Sequence, residues 1–527
     1  MYRSTLPDVV VPDVSVFDSL FGSLTDEDRE KTALVDGPSG AETSYGDLAA
    51  RIEAVAGALA ARGIGVGDVV ALHCPNSSGF VIAFHGILRA GATATTVNSL
   101  ATVKDLESQL RASGAELLLT ASPLLEAATT AARNVGLPDS AVIVLDGAEG
   151  HESLRDLLAA GAPAPDVSFE PAEHLAVLPY SSGTTGLPKG VMLTHRNLVA
   201  NVEQARAMLG VGRDDVLLAV LPFFHIYGMT ALLNLGLRER ATLVTMPRFD
   251  LAEFLRLIED HGVTYLFIAP PIGVALAKHP LVDTVDTSTV RHVLSGAAPL
   301  DEHLGRAIEA RLGARMLQGY GMTEMSPVSH VTPFDRDDIS PGSVGLAIPN
   351  VEFRLVDPAT GEDVEVTDGV SAPGELWCRG PMVMTGYLNN PEATAETLTD
   401  DGWLKTGDVA TVDADGVVHI VDRLKELIKY KGYQVAPSEL ESLLLEHPGI
   451  ADAAVVGVLD DEGEEVPKAF VVAQPGTSTS DDEVLAFVAE RVAPYKKVRV
   501  VEWVDAIPKS ASGKILRKDL RAPAATA

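Results

Sequence analysis

Strand-like and helix-like patterns alternate along most of this chain, and this alternation restricts its fold more than any other feature. Leu48, Ile52, Val55 and Leu59 recur at helical spacing, and residues 69–72 follow as a short apolar strand. The same order returns further along, where strands are predicted at residues 216–220, 242–246, 264–269 and 291–295. Strands separated by helices predict largely parallel sheets and the α/β class.

The pattern changes twice toward the C-terminal end. Between residues 351 and 421 the strands become short and helices are scarce, which predicts a small antiparallel, barrel-like unit. After Asp422, helix and strand patterns resume over about 100 residues, the size of a small α+β domain. Because 527 residues exceed one ordinary core, we expect a large domain and at least one smaller one, with the boundary near Asp422.

Composition disfavours several classes of partner. The net charge of −32 should repel nucleic acid and anionic membranes. The two cysteines, Cys74 and Cys378, have neither disulfide nor zinc-ligand spacing, so we expect both to be buried. The sequence shows no apolar run that could span a bilayer and no leader pattern, which predicts a cytoplasmic protein without membrane insertion.

A glycine-rich stretch at residues 180–190, Tyr-Ser-Ser-Gly-Thr-Thr-Gly-Leu-Pro-Lys-Gly, is typical of an anion-binding loop. It follows a strand pattern at residues 175–179 and precedes a helix start near Thr194, so we expect a loop between strand and helix. Glycine N–H groups, four hydroxyls and the amine of Lys189 suit a polyphosphate. Because Gly186 is followed by Leu-Pro-Lys-Gly, the stretch is not the common P-loop. Taken alone, it is also compatible with an ordinary surface loop.

Two further stretches place acidic and aromatic groups near predicted strand ends. Residues 318–324, Gln-Gly-Tyr-Gly-Met-Thr-Glu, lie at the edge where α/β sheets bind ligands. There Tyr320 can stack on a flat ring, and Glu324 offers a carboxylate to Mg²⁺. Asp408, in Thr-Gly-Asp, can bind ribose hydroxyls together with Arg423. Tight turns and a surface ion pair are the structural alternatives.

Two more stretches carry a histidine and a lysine. His225 lies in the segment Phe-Phe-His-Ile-Tyr and could line a pocket, although such a histidine taken alone is more often a core residue. Lys514 follows a Ser-Gly turn within residues 508–517, Pro-Lys-Ser-Ala-Ser-Gly-Lys-Ile-Leu-Arg. A lysine presented in this way can reach an active site as a mobile cation, and the alternative is a solvated basic tail.

Together these stretches resemble the adenylate-forming superfamily of acyl-CoA synthetases, adenylation domains and luciferases. The resemblance extends from about residue 43 to residue 517, with the motifs in the expected order. It implies a large N-terminal domain over residues 1–421, made of two α/β subdomains and the barrel-like unit, a hinge at residue 422, and a small mobile domain over residues 423–527. Within the superfamily the chain looks most like the 4-coumarate–CoA ligases. That closer likeness depends on residues 223–227, on Ser-Gly-Ala-Ala-Pro-Leu at 295–300 and on Gly-Tyr-Gln-Val-Ala-Pro at 432–437. Tyr433 stands where that subfamily usually has Phe.

The resemblance implies that the chain binds ATP through three of the stretches. The β- and γ-phosphates would be held by Ser181, Ser182, Gly183, Thr184, Thr185, Gly186 and Lys189. Adenine would pack on Gln318, Gly319, Tyr320 and Gly321. Asp408 and Arg423 would hold the ribose, Thr323 would lie near the α-phosphate, and Glu324 would bind Mg²⁺.

The resemblance also implies residues for two half-reactions. Lys514 would bridge the substrate carboxylate and the α-phosphate in the first, and its acetylation would remove that charge. Lys431 and Gly432 would serve the second, near the thiol of coenzyme A. Lys425 and Gln434, on either side of them, are further cofactor-binding candidates. His225 would move between the pocket wall and the substrate carboxylate.

An acid pocket is implied by the same resemblance. It would be lined by Ile226, Tyr227, Ala231, Leu294, Ala297, Gly319, Pro327 and Val328. All are apolar or small except for the tyrosine hydroxyl, so a dicarboxylate would bury an unpaired charge. We therefore expect an ATP-dependent acid–CoA ligase for 4-coumarate- or cinnamate-type aryl acids. The alternatives are medium-chain fatty acids, transfer of the adenylate to an amine, light emission, and a binding module without catalysis.

Overall fold

The structure, a computed structural model, describes residues 1–181, 188–367, 369–431, 433–460, 464–510 and 513–521. Within these ranges it contains the α/β architecture that the sequence predicts, followed by a smaller α+β unit. The same ranges contain no helix with the length and apolar character needed to cross a membrane.

The largest sheet carries the strands that matter most for the site. In spatial order the strands are Leu346–Ala347, Val328–Val331, Arg315–Gly321, His292–Ser295, Tyr265–Ile268, Val216–Ala219, Thr242–Thr245, Thr32–Asp36 and Glu42–Ser44. The run from Arg315–Gly321 to Thr32–Asp36 is parallel, and the strands at both ends are antiparallel. All four strands predicted after the glycine-rich stretch are confirmed here, within one or two residues of their expected limits.

A second sheet stands beside the first. In spatial order its strands are Gly386–Tyr387, Lys189–Thr194, Leu175–Val177, Thr93–Thr96, Val69–His73, Leu117–Thr120 and Val142–Val144, and Tyr180–Ser181 pairs with Lys189–Thr194. The expectation of a loop leading from strand directly into helix is wrong, because the strand Lys189–Thr194 intervenes. Its apolar residues, Val191 and Leu193, alternate along the strand and are buried, so a two-residue period was present but short.

Helices cover both sheets. Those of eight or more residues are Tyr45–Ala61, Ser78–Arg89, Val103–Ser113, Leu125–Val135, His195–Leu209, the π-helix Tyr227–Asn234, Leu251–His261, Pro270–Lys278 and Glu302–Leu312. Shorter ones are Val16–Phe21, Asp26–Glu30, Leu154–Ala159, Leu235–Arg238 and Pro391–Thr397. The first long helix shows why the pattern was readable: Ser44 caps its N-terminus, and Leu48, Ile52, Val55 and Leu59 all lie fully buried on one face.

The predicted antiparallel unit is confirmed. Its strands, in spatial order, are Tyr2–Arg3, Glu352–Val356, Gly374–Arg379, Leu404–Val412 and Val418–Arg423. The last strand pairs with Leu404–Val412 as far as the Asp408–Arg423 position. The hinge proposed at residue 422 therefore lies one residue before the end of a paired strand.

The chain beyond Arg423 forms its own core. The strands Ile450–Leu459, Glu465–Ala473 and Val500–Trp503 make a sheet, and Ile428–Tyr430 pairs with Tyr433–Val435 as a hairpin. The helices Pro437–Leu445 and Asp481–Ala489 pack on one face of the sheet, whereas Ile507, Ile515 and Leu520 pack on the other. The short helix Arg517–Arg521 ends the described chain. This confirms a small α+β C-terminal domain; its exact limits and its mobility stay predictions.

Candidate active site

A cavity of about 610 Å³ lies where the carboxyl end of the largest sheet meets the small domain. The large domain contributes Ala297, Gln318, Gly319, Tyr320, Gly321 and Asp408, and the small domain contributes Ser438, Glu441, Asp452, Lys509, Lys514 and Arg517. Ligands in open α/β folds bind outside the carboxyl ends of the strands. The cavity is therefore the candidate active site, and it brings together three of the predicted stretches.

The strand Arg315–Gly321 delivers the predicted adenine-binding residues to this cavity. The Gln318 side chain is buried and already bonded, since it donates to the carbonyls of Leu300 at 2.9 Å and Pro341 at 2.6 Å. It therefore supports the cavity wall. At Gly321 an added Cβ would lie 2.0 Å from the Pro327 carbonyl oxygen, so the position accepts only glycine.

Asp408 faces Tyr320 and Arg423. The Tyr320 hydroxyl donates to Asp408 Oδ2 at 2.6 Å, and Arg423 Nε lies 3.6 Å from Asp408 Oδ1. Burial raises the pKa of Asp408 to about 6, and the nearby Arg423 charge only partly offsets this effect. A carboxylate held in this way, with one arginine beside it, can accept hydrogen bonds from ribose hydroxyls.

Glu324 lies deeper, beside the strand that ends at Ser181. Its Oε1 accepts hydrogen bonds from Ser181 Oγ at 3.1 Å and from the Tyr387 hydroxyl at 2.9 Å. The Lys189 amine lies 4.3 Å above the centre of the Tyr387 ring. Ser181, near one end of the glycine-rich stretch, and Lys189, near the other, therefore contact Glu324 and Tyr387, respectively.

Tyr387 is a site residue that sequence reasoning missed. It belongs to the two-residue strand Gly386–Tyr387, which is too short to show a period. A tyrosine following a glycine was the only local signal, and it is a weak one. Ser182, Gly183, Thr184, Thr185 and Gly186 lie outside the described residues, so their predicted phosphate contacts stay predictions.

The Glu324 carboxylate also fits the Mg²⁺ that the resemblance implies. In the described part of the chain, only Oε1 of Glu324 accepts hydrogen bonds from protein donors. The second carboxylate oxygen is therefore available to a metal. The described ranges contain no cluster of three or more His, Cys, Asp or Glu residues that could hold a metal without further ligands. Mg²⁺ is commonly held by one carboxylate together with substrate phosphates and water. Thr323, half-buried at the start of the same turn, lies next to it in the chain.

Lys514 lines the cavity from the small domain. Within the described ranges, its amine has no hydrogen-bond acceptor or carboxylate as a partner. The neighbouring Gly513 has φ +83°, and a Cβ there would lie 3.1 Å from Pro271 and 3.2 Å from Ala269. This glycine lets the Lys514 backbone touch the large domain. The cation is thus presented to the cavity without being neutralised.

His225 does not line the cavity. His225 Nδ1 accepts a hydrogen bond from the Tyr227 backbone at 3.3 Å, and burial lowers the pKa of His225 to about 4. The imidazole is therefore neutral at pH 7, with its proton on Nε2. It can donate one hydrogen bond but cannot supply a positive charge.

The predicted acid-pocket residues divide into two groups. Ala297 and Gly319 line the cavity. The others are buried and do not line it: Ile226, Tyr227, Ala231, Leu294, Pro327 and Val328. The two groups adjoin, because a Cβ on Gly319 would lie 3.7 Å from the Leu294 side chain. The Tyr227 hydroxyl donates to the Leu294 carbonyl at 3.1 Å, so its proton is not available to a substrate.

Three residues predicted for cofactor binding or for the second half-reaction lie away from the cavity. Lys425, Lys431 and Gln434 are exposed and do not line it. Lys431 has φ +49° in the hairpin turn, with its amine 5.3 Å above the Tyr430 ring centre. Gly432 lies outside the described residues. The structure therefore groups Lys514, but not Lys431, with the nucleotide candidates.

The surface around Lys431 combines aromatic rings with cations. Tyr433 and Tyr495 stack at 4.4 Å between ring centres, and Arg499 lies 5.4 Å above the Tyr430 ring centre. We call Tyr430, Lys431, Tyr433, Tyr495 and Arg499 the basic–aromatic surface. In a chain with net charge −32 it is a local exception.

Comparison with known families agrees with this architecture. The family described as AMP-binding enzyme matches residues 24–388, and the AMP-binding enzyme C-terminal domain matches residues 439–514. 4-Coumarate–CoA ligase 5 of Oryza sativa subsp. japonica is 45% identical over 99% of this chain and 97% of its own length. 4-Coumarate–CoA ligase 1 of Solanum tuberosum is 44% identical over 99% and 96%, respectively.

Solved structures are similar over nearly the whole chain. ATP-bound MatB from Rhodopseudomonas palustris has a TM-score of 0.87 and 32% identity over 97% of this chain and 98% of its own. The anthranilate CoA ligase AuaEII, in complex with anthranoyl-AMP, has a TM-score of 0.89 and 28% identity over 97% of each chain. The amide bond synthetase McbA from Marinactinospora thermotolerans has a TM-score of 0.84 and 28% identity over 96% of this chain and 98% of its own.

The fold, the cavity at the domain junction and the matched regions define an adenylate-forming enzyme with a large N-terminal and a small C-terminal domain. The chain belongs to the AMP-binding enzyme family.

Proposed function

We propose that this chain is an ATP-dependent acid–CoA ligase, which joins an aryl acid of the 4-coumarate or cinnamate type to coenzyme A through an acyl-adenylate. One observation carries the proposal: Lys514, whose amine has no acceptor or carboxylate partner among the described residues, lines the same cavity as Gly319, Tyr320 and Asp408. The near full-length similarity to 4-coumarate–CoA ligases supports the choice of acid and acceptor.

The first half-reaction joins two anions. A carboxylate oxygen attacks the α-phosphorus of ATP, the bond to pyrophosphate breaks, and an acyl-adenylate forms. Positioning and charge compensation dominate such a step. Lys514 supplies a positive charge between the carboxylate and the α-phosphate, while Tyr320, Asp408 and Arg423 hold the nucleoside. Glu324 would hold Mg²⁺, which offsets the phosphate charge.

The second half-reaction transfers the acyl group. The sulfur of coenzyme A attacks the acyl carbonyl carbon, and AMP leaves with the bonding electrons. In the present arrangement Lys514 lies in the cavity and the basic–aromatic surface lies outside it. Rotation about residue 422 would exchange the two, bringing Lys431 toward the thiol.

The side chains proposed for the acid pocket match an uncharged ring. Ile226, Ala231, Leu294 and Val328 are buried and apolar. The Tyr227 hydroxyl already donates to the Leu294 carbonyl, so none of these side chains offers a free hydrogen-bond donor to a phenol. A second carboxylate would find no cation there, which disfavours dicarboxylic acids. Medium-chain fatty acids are the second candidate, since an apolar slot discriminates weakly by shape.

The acceptor is the other open choice, because McbA is an amide bond synthetase of similar structure. The basic–aromatic surface favours coenzyme A over a simple amine. Its two cations suit the phosphates of coenzyme A, and its stacked rings suit the adenine. The same proposal includes a cytoplasmic location, which suits an enzyme that uses ATP and coenzyme A. It also includes control by acetylation of Lys514, which would remove the charge that the first half-reaction needs.

A substrate panel tests the function. Pyrophosphate release is measured with cinnamic, 4-coumaric, hexanoic and malonic acids, each with coenzyme A, with an amine, and without an acceptor. We expect release with the two aryl acids, and thioester only with coenzyme A. Absence of acid-dependent release would refute the enzyme assignment, and amide formation at the thioester rate would assign the acceptor to the other class.

The role of Lys514 is tested by separating the two half-reactions. Lys514→Ala removes the positive charge of the lysine amine, so adenylate formation should fall by about a hundredfold or more. Conversion of supplied cinnamoyl-adenylate to the thioester should change less than about twofold, because that step uses the other face of the small domain. Lys518→Ala, four residues along and exposed, is the matched control. Equal losses in both assays would contradict the assignment.

A further inference from the structure

We propose that Arg517 is the residue that positions Lys514, through a buried clamp formed by Glu441 and Glu426. This inference rests on the role proposed above for Lys514 in adenylate formation. We call residues 509–517, of which 511 and 512 are outside the described chain, the Lys514 segment.

The Lys514 segment is attached to the small domain at both ends. At the first end, Lys509 Nζ lies 2.6 Å from Asp452 Oδ2, and both side chains are partly exposed. In the middle, Ile515 packs against the face of the sheet that also buries Ile507. At the second end stands Arg517, three residues after Lys514. Two residues, Ile515 and Leu516, therefore separate Lys514 from this buried charge in the chain.

Arg517 is more tightly held than Lys509. Its Nη2 donates to Glu441 Oε1 at 2.7 Å and to Oε2 at 2.6 Å, and its Nη1 pairs with Glu426. Its Nε donates to the Val455 carbonyl at 3.2 Å. All three guanidinium nitrogens are thus engaged, and the side chain is only 11% exposed. Such a two-carboxylate clamp fixes orientation as well as position.

The clamp also connects Lys514 with the nucleotide candidates. Glu426 Oε1 lies 3.8 Å from Arg423 Nη1, and Arg423 lies 3.6 Å from Asp408. Alternating charges therefore run from Asp408 through Arg423, Glu426 and Arg517 to Glu441, a series we call the charge ladder. All five groups line the cavity. The charge ladder therefore connects Arg517, at the end of the Lys514 segment, with Asp408 and Arg423 of the proposed ribose site.

Breaking the clamp should misplace the Lys514 amine without removing it. Misplacement by about 1 Å can cost a hundredfold in rate, and Ile515 still holds part of the segment, so we expect about a tenfold loss for Arg517→Met. The loss should appear in adenylate formation, measured as pyrophosphate exchange with cinnamic acid. Thioester formation from supplied cinnamoyl-adenylate should change less than about twofold, because Lys514 is not used there.

A double-mutant cycle separates positioning from a purely structural role. If Arg517 acts through Lys514, the double variant Lys514→Ala/Arg517→Met should form adenylate no more slowly than Lys514→Ala alone. Arg517→Lys, which can pair with only one carboxylate at a time, should recover part of the rate. Glu441→Gln, which keeps the shape of the site and leaves Glu426 in place, provides the same test if Arg517→Met does not fold.

Lys468→Met is the matched control, because it removes a partly exposed ion pair with Glu502 on the same domain and shares no ion-pair partner with Arg517. It should leave the ratio of the two half-reactions unchanged. Equal loss of both half-reactions in Arg517→Met, or additive losses in the double variant, would overturn the proposal. Undiminished adenylate formation in Lys514→Ala would refute the role of Lys514 itself, and with it this inference; loss in Lys514→Ala but not in Arg517→Met would overturn only the positioning role.

Discussion

Burial of a single carboxylate, Asp408, links substrate binding to pH. Desolvation raises the pKa of Asp408 to about 6, although Arg423 opposes it and Tyr320 donates to it. Asp422 and Glu426 add to the rise through charge repulsion. The group is therefore ionised above pH 6 and protonated below it. The proposed ribose contact needs the ionised form, because a protonated carboxyl loses acceptor capacity.

The KM for ATP should accordingly rise as pH falls through about 6. Asp408→Asn should raise KM about tenfold at pH 8 and flatten this dependence. His225 does not confuse the measurement, because its pKa of about 4 keeps it neutral throughout. Glu441, with a pKa raised to about 7 by burial, should influence kcat through Arg517. Steady-state kinetics from pH 5 to 9, with Asp415→Asn as an exposed control, decide the point; an unchanged KM profile in Asp408→Asn would count against it.

At the residue scale the motifs predicted several residues that line the cavity, but not the residues that hold them in position. Gln318 to Gly321, Asp408 and Lys514 all line one cavity, as their assignment by resemblance to one site requires. Tyr387, Glu441 and Arg517 were not predicted, because their roles depend on partners more than 60 positions away. No local period or turn signal encodes such pairings.

Elements were predicted more reliably than contacts between them. Helices with one fully buried face and strands with continuous apolar runs were readable, whereas Lys189–Thr194, a strand directly before a helix, was not. Packing across the junction was not readable either. The helix Pro270–Lys278 meets the helix Pro437–Leu445 there, and Lys278 Nζ donates to the Leu445 carbonyl at 3.1 Å. A cation at a helix C-terminus stabilises it.

This contact joins the two domains in the arrangement that places Lys514 in the cavity. Lys278→Met should therefore slow adenylate formation about two- to fivefold, which corresponds to the 0.3–1 kcal/mol typical of such a cap. The thioester step should be unchanged, since rotation would break the contact in any case. Comparing the two half-reactions measures this, and Arg306→Met, which loses only exposed ion pairs on a neighbouring helix, is the control. A slower thioester step in Lys278→Met would exclude this role.

At the scale of the whole molecule, the residue proposed as the hinge is attached to both domains. The Asp422 carboxylate accepts hydrogen bonds from Ser438 N at 2.9 Å and from Arg423 N at 2.7 Å. Ser438 Oγ in turn donates to the Val421 carbonyl at 2.7 Å. The start of the helix Pro437–Leu445 is therefore bonded to the end of a strand of the large domain. Rotation would require these contacts to change together.

Two substitutions at Asp422 separate its carboxylate from its backbone freedom. Asp422→Ala removes the hydrogen bonds, at a cost of about 1–3 kcal/mol in the free energy of unfolding, but leaves φ free. Asp422→Pro also fixes φ near −65°. We expect both to form adenylate at similar rates, whereas only the proline variant should form thioester about tenfold more slowly or worse. Single-turnover measurements of each step, with thermal unfolding as a stability check, would show this; identical thioester rates in the two variants would remove residue 422 as the hinge.

The charge ladder has a practical consequence for exchanging parts between relatives. Four of its five groups, Arg423, Glu426, Glu441 and Arg517, follow Asp422 in the chain, and only Asp408 precedes it. A C-terminal domain transferred to a relative from residue 422 onward therefore contains two cations and two carboxylates of the charge ladder. The recipient must supply only the carboxylate at the position of Asp408. A cut between residues 427 and 440 would instead separate Arg517 from Glu426 and leave each to meet a foreign partner. Residue 422 is therefore the better position for exchanging the small domain, because a cut there keeps its paired charges together.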